Sequence, residues 1–384
     1  MLKILEVCTT SSSAYALVFN RAQALNARYP QQLKIAILCS DGKEVELMRQ
    51  QGMQVILADL HRSISPWRLL QSFFNLQKVL REGNYDVVHL HFGVPSLVGR
   101  CLAFVMRKPL WIYQSHGYSL SYNTSNLGKF TYLAVERLLK WPVHLALFQS
   151  HEDIEIAHRY KLLDAPQIKY LGNGIDTDYF CPSLDQIPND KTIFGMVARF
   201  EAIKNHELLL DAVKHLRLVN PNFKVLLIGQ GELKTEITAK IAAHRLEEWI
   251  EVRAYSMDMV EFYREIDVGL LTSFGEGLPR ALLEPMACAK PVIGTDVKGS
   301  REAIQDLTTG FLVPVTDPQA LATKMQWLME HPLERQRMGL AGRAHVVEHF
   351  SAQQVLERLS SVYIACYEHH RRLAQLETSW NTLP

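Results

Sequence analysis

Apolar runs of strand length alternate with amphipathic runs of helix length along nearly the whole chain, and few folds can use such a pattern. In the first half the apolar runs are residues 3–8, 33–39, 54–60, 86–91, 109–115 and 144–149. Segments 14–28, 44–51, 66–81 and 130–140 lie between them with helical periodicity. Strands alternating with helices build βαβ units, and these make a parallel sheet. A strand at 168–171 is followed by the turn-rich Gly172-Asn173-Gly174-Ile175-Asp176, read as a hinge, and by a linker at 185–191. The pattern then restarts. Strands are expected at 192–197, 224–228, 250–254, 268–272 and 291–293, with helices at 205–219, 233–243, 257–265, 279–287, 318–330 and 332–349. The expectation is α/β throughout, with one Rossmann-like domain over 1–180 and a second over 181–351. A tail, 352–384, carries a long amphipathic helix that returns to the first domain.

Composition removes some functions. Lys and Arg number 41 against 40 Asp and Glu, so the basic excess of a nucleic-acid binder is missing. Cys8, Cys39, Cys101, Cys181, Cys288 and Cys366 form no C-x-x-C pair, which fits reduced, mostly buried thiols in a cytosolic protein. Met1 leads straight into a strand, so no signal peptide is expected. No apolar run reaches the ~18 residues that cross a bilayer.

On parallel sheets, ligands meet the loops at the carboxyl ends of strands. The first such loop, Thr9-Thr10-Ser11-Ser12-Ser13, either cradles a phosphate or sugar or simply caps the next helix. His116-Gly117 ends the fifth strand, where the imidazole either meets a ligand or is satisfied by backbone. His89 and His91 have the spacing of two metal ligands, but no third ligand is evident, so a buried strand is the expectation. Asp176-Thr177-Asp178 mimics a metal-binding D-x-D, yet its place in a connecting turn favours an Asx turn. Arg199 and Lys204 leave the first strand of the second half on a short loop and are suited to a diphosphate, with Asn205 capping the next helix. Gly229-Gln230-Gly231 is a lone G-x-G and carries little weight.

The most informative stretch is Ser273–Glu284, SFGEGLPRALLE. Glu276 and Glu284 flank Gly277-Leu278-Pro279, a turn that opens a helix with Pro279 expected at its first position. Free amides at Gly277 and Leu278 would form an anion site at the positive helix end. An anion site between two carboxylates suits a ligand with both phosphate and hydroxyls. The plain alternative is a helix whose acids pair with surface Lys or Arg.

Taken together these residues resemble the retaining glycosyltransferases of family 4, glycosyl transferases group 1, which includes sucrose synthase and bacterial mannosyltransferases. The resemblance rests on E-x7-E at Glu276 and Glu284, on Arg-x4-Lys at Arg199 and Lys204, and on His116-Gly117, Gly172–Asp176 and Ile228–Leu233. It implies a GT-B fold, two Rossmann-like domains facing across a cleft. It also implies roles. Glu284 would take the donor ribose hydroxyls, and Glu276 the transferred sugar. Gly277, Leu278 and Pro279 would touch the sugar and distal phosphate. Arg199 and Lys204 would grip the diphosphate, Tyr255 and Ser256 would lie by the base, and His116 would face the sugar. Thr10, Ser11, Ser12, His116 and Gly117 would form the acceptor side. The chain departs from the family at the first loop, which lacks a Gly-Gly pair, and at Pro279 and Ala254, where Gly is frequent.

The implied reaction moves a sugar from a nucleoside diphosphate to an acceptor hydroxyl with retained configuration. Charge grows on the departing diphosphate, and fixed cations and helix amides oppose it. No metal or other cofactor is then required. The acceptor is expected to be a glycan or lipid-linked acceptor. Trp67, Leu69, Leu70, Phe73 and Phe74 with Arg68, Lys78 and Arg81, and the segment 130–141, would either pack on the sheet or rest on the inner face of a membrane. Three rivals stay open: a sugar-nucleotide epimerase of the same fold, a dinucleotide oxidoreductase lacking its G-x-G-x-x-G, and a silent binding protein.

Overall fold

The computed structural model describes the chain apart from residues 62–64, 92, 119–124, 183–189, 255–257 and 381–384, with side chains described as far as residue 369. Two compact units emerge. The first holds Met1–Tyr118, Asn126–Leu171 and Leu356–Pro384; the second holds Gly172–Val355. The division thus falls at residues 171 and 172 rather than at 180, and the turn read as a hinge opens the second unit.

Seven parallel strands form the sheet of the first unit: β1 (Leu2–Val7), β2 (Leu33–Cys39), β3 (Val55–Leu57), β4 (Val87–His91), β5 (Leu110–Ser115), β6 (Leu145–Phe148) and β7 (Ile168–Tyr170), in the order 3-2-1-4-5-6-7. Six form the second: β8 (Thr192–Val197), β9 (Phe223–Ile228), β10 (Ile250–Arg253), β11 (Val268–Leu271), β12 (Val292–Thr295) and β13 (Gly310–Val313), in the order 10-9-8-11-12-13. Each order reverses beside its first strand, the Rossmann arrangement, and the crevice at that reversal is where such sheets bind ligands. The reversals lie at β1/β4 and β8/β11.

The central strands are buried on both faces, as parallel strands covered by helices must be. β4 is buried at all five positions, and β1 at all but Lys3. One element is absent from the expected helices. Val94–Ala103 is a helix with eight buried residues, and its Pro95 and Gly99 hide it in the sequence, since both residue types disfavour helix locally. His151–Arg159 is also helical, where only a loop at its start was read; Ser150 caps it, its Oγ accepting from Asp153 N at 3.1 Å. The first helical stretch begins at Ser11, not at 14, and Thr10 caps it. No helix among the described residues is long and apolar enough to cross a membrane.

The C-terminal helix Ala352–Trp380 joins the first unit from Leu356 onward. Its Tyr363 is fully buried there, and Arg358 donates to the Leu171 carbonyl at 3.1 Å.

Candidate active site

In the second unit, the loops after β8 and β11 lie at the reversal of strand order. Side chains from the two loops meet there. Lys204 ends a 3₁₀ turn, Ala202–Lys204, and its Nζ donates to Glu276 Oε1 at 2.6 Å across 72 residues of sequence. Both side chains are largely enclosed, 17% and 12% exposed. Ser273 Oγ donates to the same Glu276 oxygen at 2.5 Å. The loops are also stitched by backbone: Phe274 N donates to Ile203 O at 2.8 Å, and Thr272 Oγ1 to Lys204 O at 3.0 Å. A lysine and a glutamate are therefore held in place before any ligand arrives.

Arg199 stands on the same β8 loop but is not drawn to Glu276. Its Nη1 donates to Glu201 Oε1 at 2.5 Å, and the side chain is 65% exposed. An exposed pair of this kind is worth about 0–1 kcal/mol, so a doubly charged ligand can displace Glu201 readily. The G-x-G after β9 proves to be the seat of this loop. A Cβ on Gly229 would lie 1.9 Å from Ala198 O, and one on Gly231, at φ +153°, 2.4 Å from Phe200 O. Phe200 N donates to Gln230 O at 2.9 Å, closing the contact. The glycines let the Arg199 backbone approach; they form no Rossmann fingerprint.

Glu284 lies in the second turn of the helix Arg280–Ala287, nearly buried, with each oxygen occupied. Tyr263 Oη donates to Oε2 at 2.9 Å, and Arg280 Nε to Oε1 at 2.9 Å. Pro279 sits at the N-cap rather than at the first helical position. The turn before it is pinned from 172–176: Asn173 Nδ2 donates to Leu278 O at 2.8 Å, and Arg280 Nη1 to Gly174 O at 3.2 Å. Residues read as a hinge thus buttress the Gly277–Pro279 turn. Asp176 makes the expected Asx turn, its Oδ1 accepting from Asp178 N and Tyr179 N. Asn205 does not cap with its side chain. It takes the left-handed φ of +47° and its Nδ2 donates to Val315 O.

Gly299, at φ +81°, abuts the same turn, and a Cβ there would lie 1.9 Å from Gly277 O. Gly299→Ala is expected to cost about 1–3 kcal/mol in strain and to displace the turn. Melting temperature and donor affinity should fall together; an unchanged affinity would clear Gly299 of any part in shaping the site.

The first unit differs more from expectation. Ser11 is buried in the helix, and its Oγ donates to Glu44 Oε2 at 2.7 Å. Thr10 Oγ1 is shared with Ser12, Ser13 and the Ser13 amide. These hydroxyls chiefly hold the helix start. Beneath them lies a buried polar cluster that the sequence reading did not assemble. Glu6 on β1 pairs in register with His89 on β4. Glu6 Oε2 is 2.5 Å from His91 Nε2 and 3.5 Å from Arg21 Nη2, while Tyr363 Oη donates to Oε1 at 2.6 Å and lies 2.7 Å from His89 Nδ1. Burial alone would raise the Glu6 pKa, but His89 and Arg21 beside it, and hydrogen bonds from both histidines, hold it well below the usual range. Glu6 is therefore ionised and accepts from His91 Nε2–H. His91 Nδ1 then accepts from His116 Nε2–H at 3.1 Å, and His116 Nδ1 accepts from Gln149 Nε2 at 3.0 Å. Burial, with His91 and Arg21 nearby, holds the His116 pKa well below its usual value, so the ring is neutral. Both its nitrogens are engaged inside the unit, and the free donor expected of His116 is absent. Gly117 N donates to Ser115 Oγ at 3.3 Å and Gly117 takes φ +124°.

A third metal-ligating group does stand beside His89 and His91, contrary to expectation: Glu6, with ligand atoms of the three within 4.8 Å of one another. The hydrogen bonds just described already use Glu6 Oε2 and His91 Nε2 on each other, and the Arg21 guanidinium supplies positive charge. The signal was an acid, Glu6, near the carboxyl end of the strand LKILEV, and its neighbour is decided by strand order. Tyr255 and Ser256, the expected base-side residues, and Phe92 of the β4 loop lie outside the described residues.

A family model described as glycosyl transferase 4-like matches residues 6–150, and one described as glycosyl transferases group 1 matches residues 185–345. The chain belongs to the group 1 glycosyltransferases. The chain is 22% identical over 347 residues, 87% of it and 89% of the relative, to UDP-Gal:alpha-D-GlcNAc-diphosphoundecaprenol alpha-1,3-galactosyltransferase of Escherichia coli. It is 26% identical over 352 residues, 86% of it and 90% of the relative, to the capsular polysaccharide biosynthesis glycosyltransferase CapM of Staphylococcus aureus. Anabaena Alr3699/HepE, solved in complex with UDP and glucose, aligns over 94% of this chain and 99% of its own with a TM-score of 0.79 and 19% identity. The fold of this group 1 glycosyltransferase is GT-B.

Proposed function

We propose that this glycosyltransferase moves a sugar from a nucleoside-diphosphate sugar, UDP-linked before GDP-mannose, to an acceptor hydroxyl with retention at the anomeric carbon. The observation that carries the reading is the meeting of Lys204 and Glu276 at the β8/β11 reversal. One group suits the leaving diphosphate and the other the sugar hydroxyls. As the glycosidic bond breaks, negative charge grows on the diphosphate. Lys204 is fixed beside it, and the exposed Arg199 turns from Glu201 to join it. These two cations supply the charge that a divalent metal would otherwise bring, so turnover needs no metal. The acceptor proton passes to a diphosphate oxygen on the same face, and no side chain acts as nucleophile. The named activities and ligands of the relatives, a UDP-galactose transferase, a capsule biosynthesis enzyme and a complex with UDP and glucose, support this donor and a role in bacterial polysaccharide or glycolipid synthesis. A hydrolysis and thermal-shift panel of UDP, GDP and ADP sugars tests it. A ligand at 100 times its Kd adds about 2.7 kcal/mol of stability. Stabilisation by none of them would end the reading, and epimerised sugar nucleotide without acceptor would favour an epimerase.

We infer a lipid-linked acceptor met at the cytoplasmic face of a membrane. In the helix Pro66–Gly83, Leu69 and Phe73 pack on the core while Trp67, Leu70 and Phe74 are exposed. Leu127, Phe130, Leu138 and Trp141 are exposed near Lys129, Arg137 and Lys140. Burying one large apolar side chain is worth roughly 1.5–3 kcal/mol. Phe130→Ser with Trp141→Ser should therefore weaken binding to anionic vesicles by about tenfold or more. Equal sedimentation of variant and parent with vesicles would remove the membrane from the proposal.

A further inference from the structure

We propose that Tyr263 and Arg280 are positioning residues that make Glu284 a selector for ribose over deoxyribose. The inference deepens the reading above and rests on Glu284 as the ribose-binding carboxylate. A carboxylate offers about four acceptor positions. Tyr263 Oη takes one on Oε2 and Arg280 Nε one on Oε1, each at 2.9 Å. One position on each oxygen is left, the pattern that two vicinal hydroxyls match. The two donors come from different elements, the helix Met259–Glu265 and the first turn of Arg280–Ala287, so the carboxylate cannot rotate without losing one.

Tyr263 has little other explanation for its hydroxyl. The residue is 1% exposed, its ring packs edge-on against Phe180 and Phe262, and Glu284 is the partner recorded for Oη. Burial first, and then the Glu284 charge, raises its pKa well above the ordinary phenol value, so it remains a donor. Arg280 is braced in turn, its Nη1 on Gly174 O. A fixed carboxylate loses most when a ligand lacks one hydroxyl, because a nearly buried oxygen is left unmatched. A free carboxylate would swing and discriminate less.

The test measures binding of UDP against 2′-deoxy-UDP, and GDP against 2′-deoxy-GDP, to the full chain. The parent should prefer the ribonucleotide of the pair it binds by about tenfold or more. Tyr263→Phe keeps the ring and its packing, and should collapse that preference to within about threefold with little change in melting temperature. If Tyr263→Phe does not fold, Arg280→Met, at a part-exposed position, should show the same collapse. Glu284→Ala should abolish the preference. A preference kept by the folded Tyr263→Phe or Arg280→Met protein but lost in Glu284→Ala overturns the positioning role alone. A preference kept by Glu284→Ala, or no binding of either pair by the parent, overturns the donor reading beneath it.

Discussion

Lys204→Ala should lower kcat/KM by about 10²- to 10³-fold, roughly 2.7–4 kcal/mol, the scale of one preorganised donor lost from a developing charge. The expectation follows from how firmly the group is held. The Lys204 carbonyl accepts from Thr272, the neighbouring Ile203 carbonyl accepts from Phe274, and the ammonium rests on Glu276. Such a donor needs no reorganisation as the diphosphate leaves. The loss should appear in kcat as well as KM, because the charge it opposes is largest in the transition state. Steady-state kinetics with donor varied, beside a melting curve, reads both. Turnover within threefold of the parent in a folded Lys204→Ala protein would remove Lys204 from the mechanism.

Glu6→Leu should cost the first unit about 3–5 kcal/mol, the scale of breaking a buried ionic network on one side. Domains are stable by only about 5–15 kcal/mol, so a large share of the margin goes. The variant leaves the Arg21 charge, the His91 N–H and the Tyr363 hydroxyl without their common acceptor. Urea unfolding followed by the fluorescence of buried Trp111 would report it, and a shift below 1 kcal/mol would contradict the account. The cluster also gives the unit a pH dependence. Burial holds the His91 pKa down to about 3 against an ordinary 6.5. Its neutral form is the native one, so its contribution is full above pH 6.5 and is lost as pH falls toward 3. Glu6, depressed below 4.5, contributes fully above that value and loses its contribution as pH falls through its native pKa. In both cases the unfolded chain binds more protons, so stability falls on acidification from about pH 6.5 downward. A flat stability profile between pH 7 and pH 4 would refute the assignment.

Local patterning carried most of the fold. Thr192–Val197, Leu33–Cys39, Pro318–Glu330 and Pro332–His349 have the bounds that periodicity and turn residues indicate. It missed the helix Val94–Ala103, where Pro95 and Gly99 speak against a helix locally, and the strand Gly310–Val313. The candidate site was legible in residue type but not in partnership. Glu276, Glu284, Arg199 and Lys204 stood out, yet Arg199 turned to Glu201 and the lysine to Glu276. Tyr263 had no local signal at all, since its meaning is the hydrogen bond to a helix beyond the next strand.

By itself, then, the sequence determined the alternation of strand and helix, the doubling of that alternation, and the carboxylates flanking a turn, because each is written within one short stretch. Only the tertiary structure decided that Glu6 faces His89 and His91, that Gly229 and Gly231 seat the Arg199 loop, and that Tyr263 holds Glu284. Those partnerships depend on which strands lie side by side and in what register, and distant segments acquire neighbours only when the sheet closes around its core.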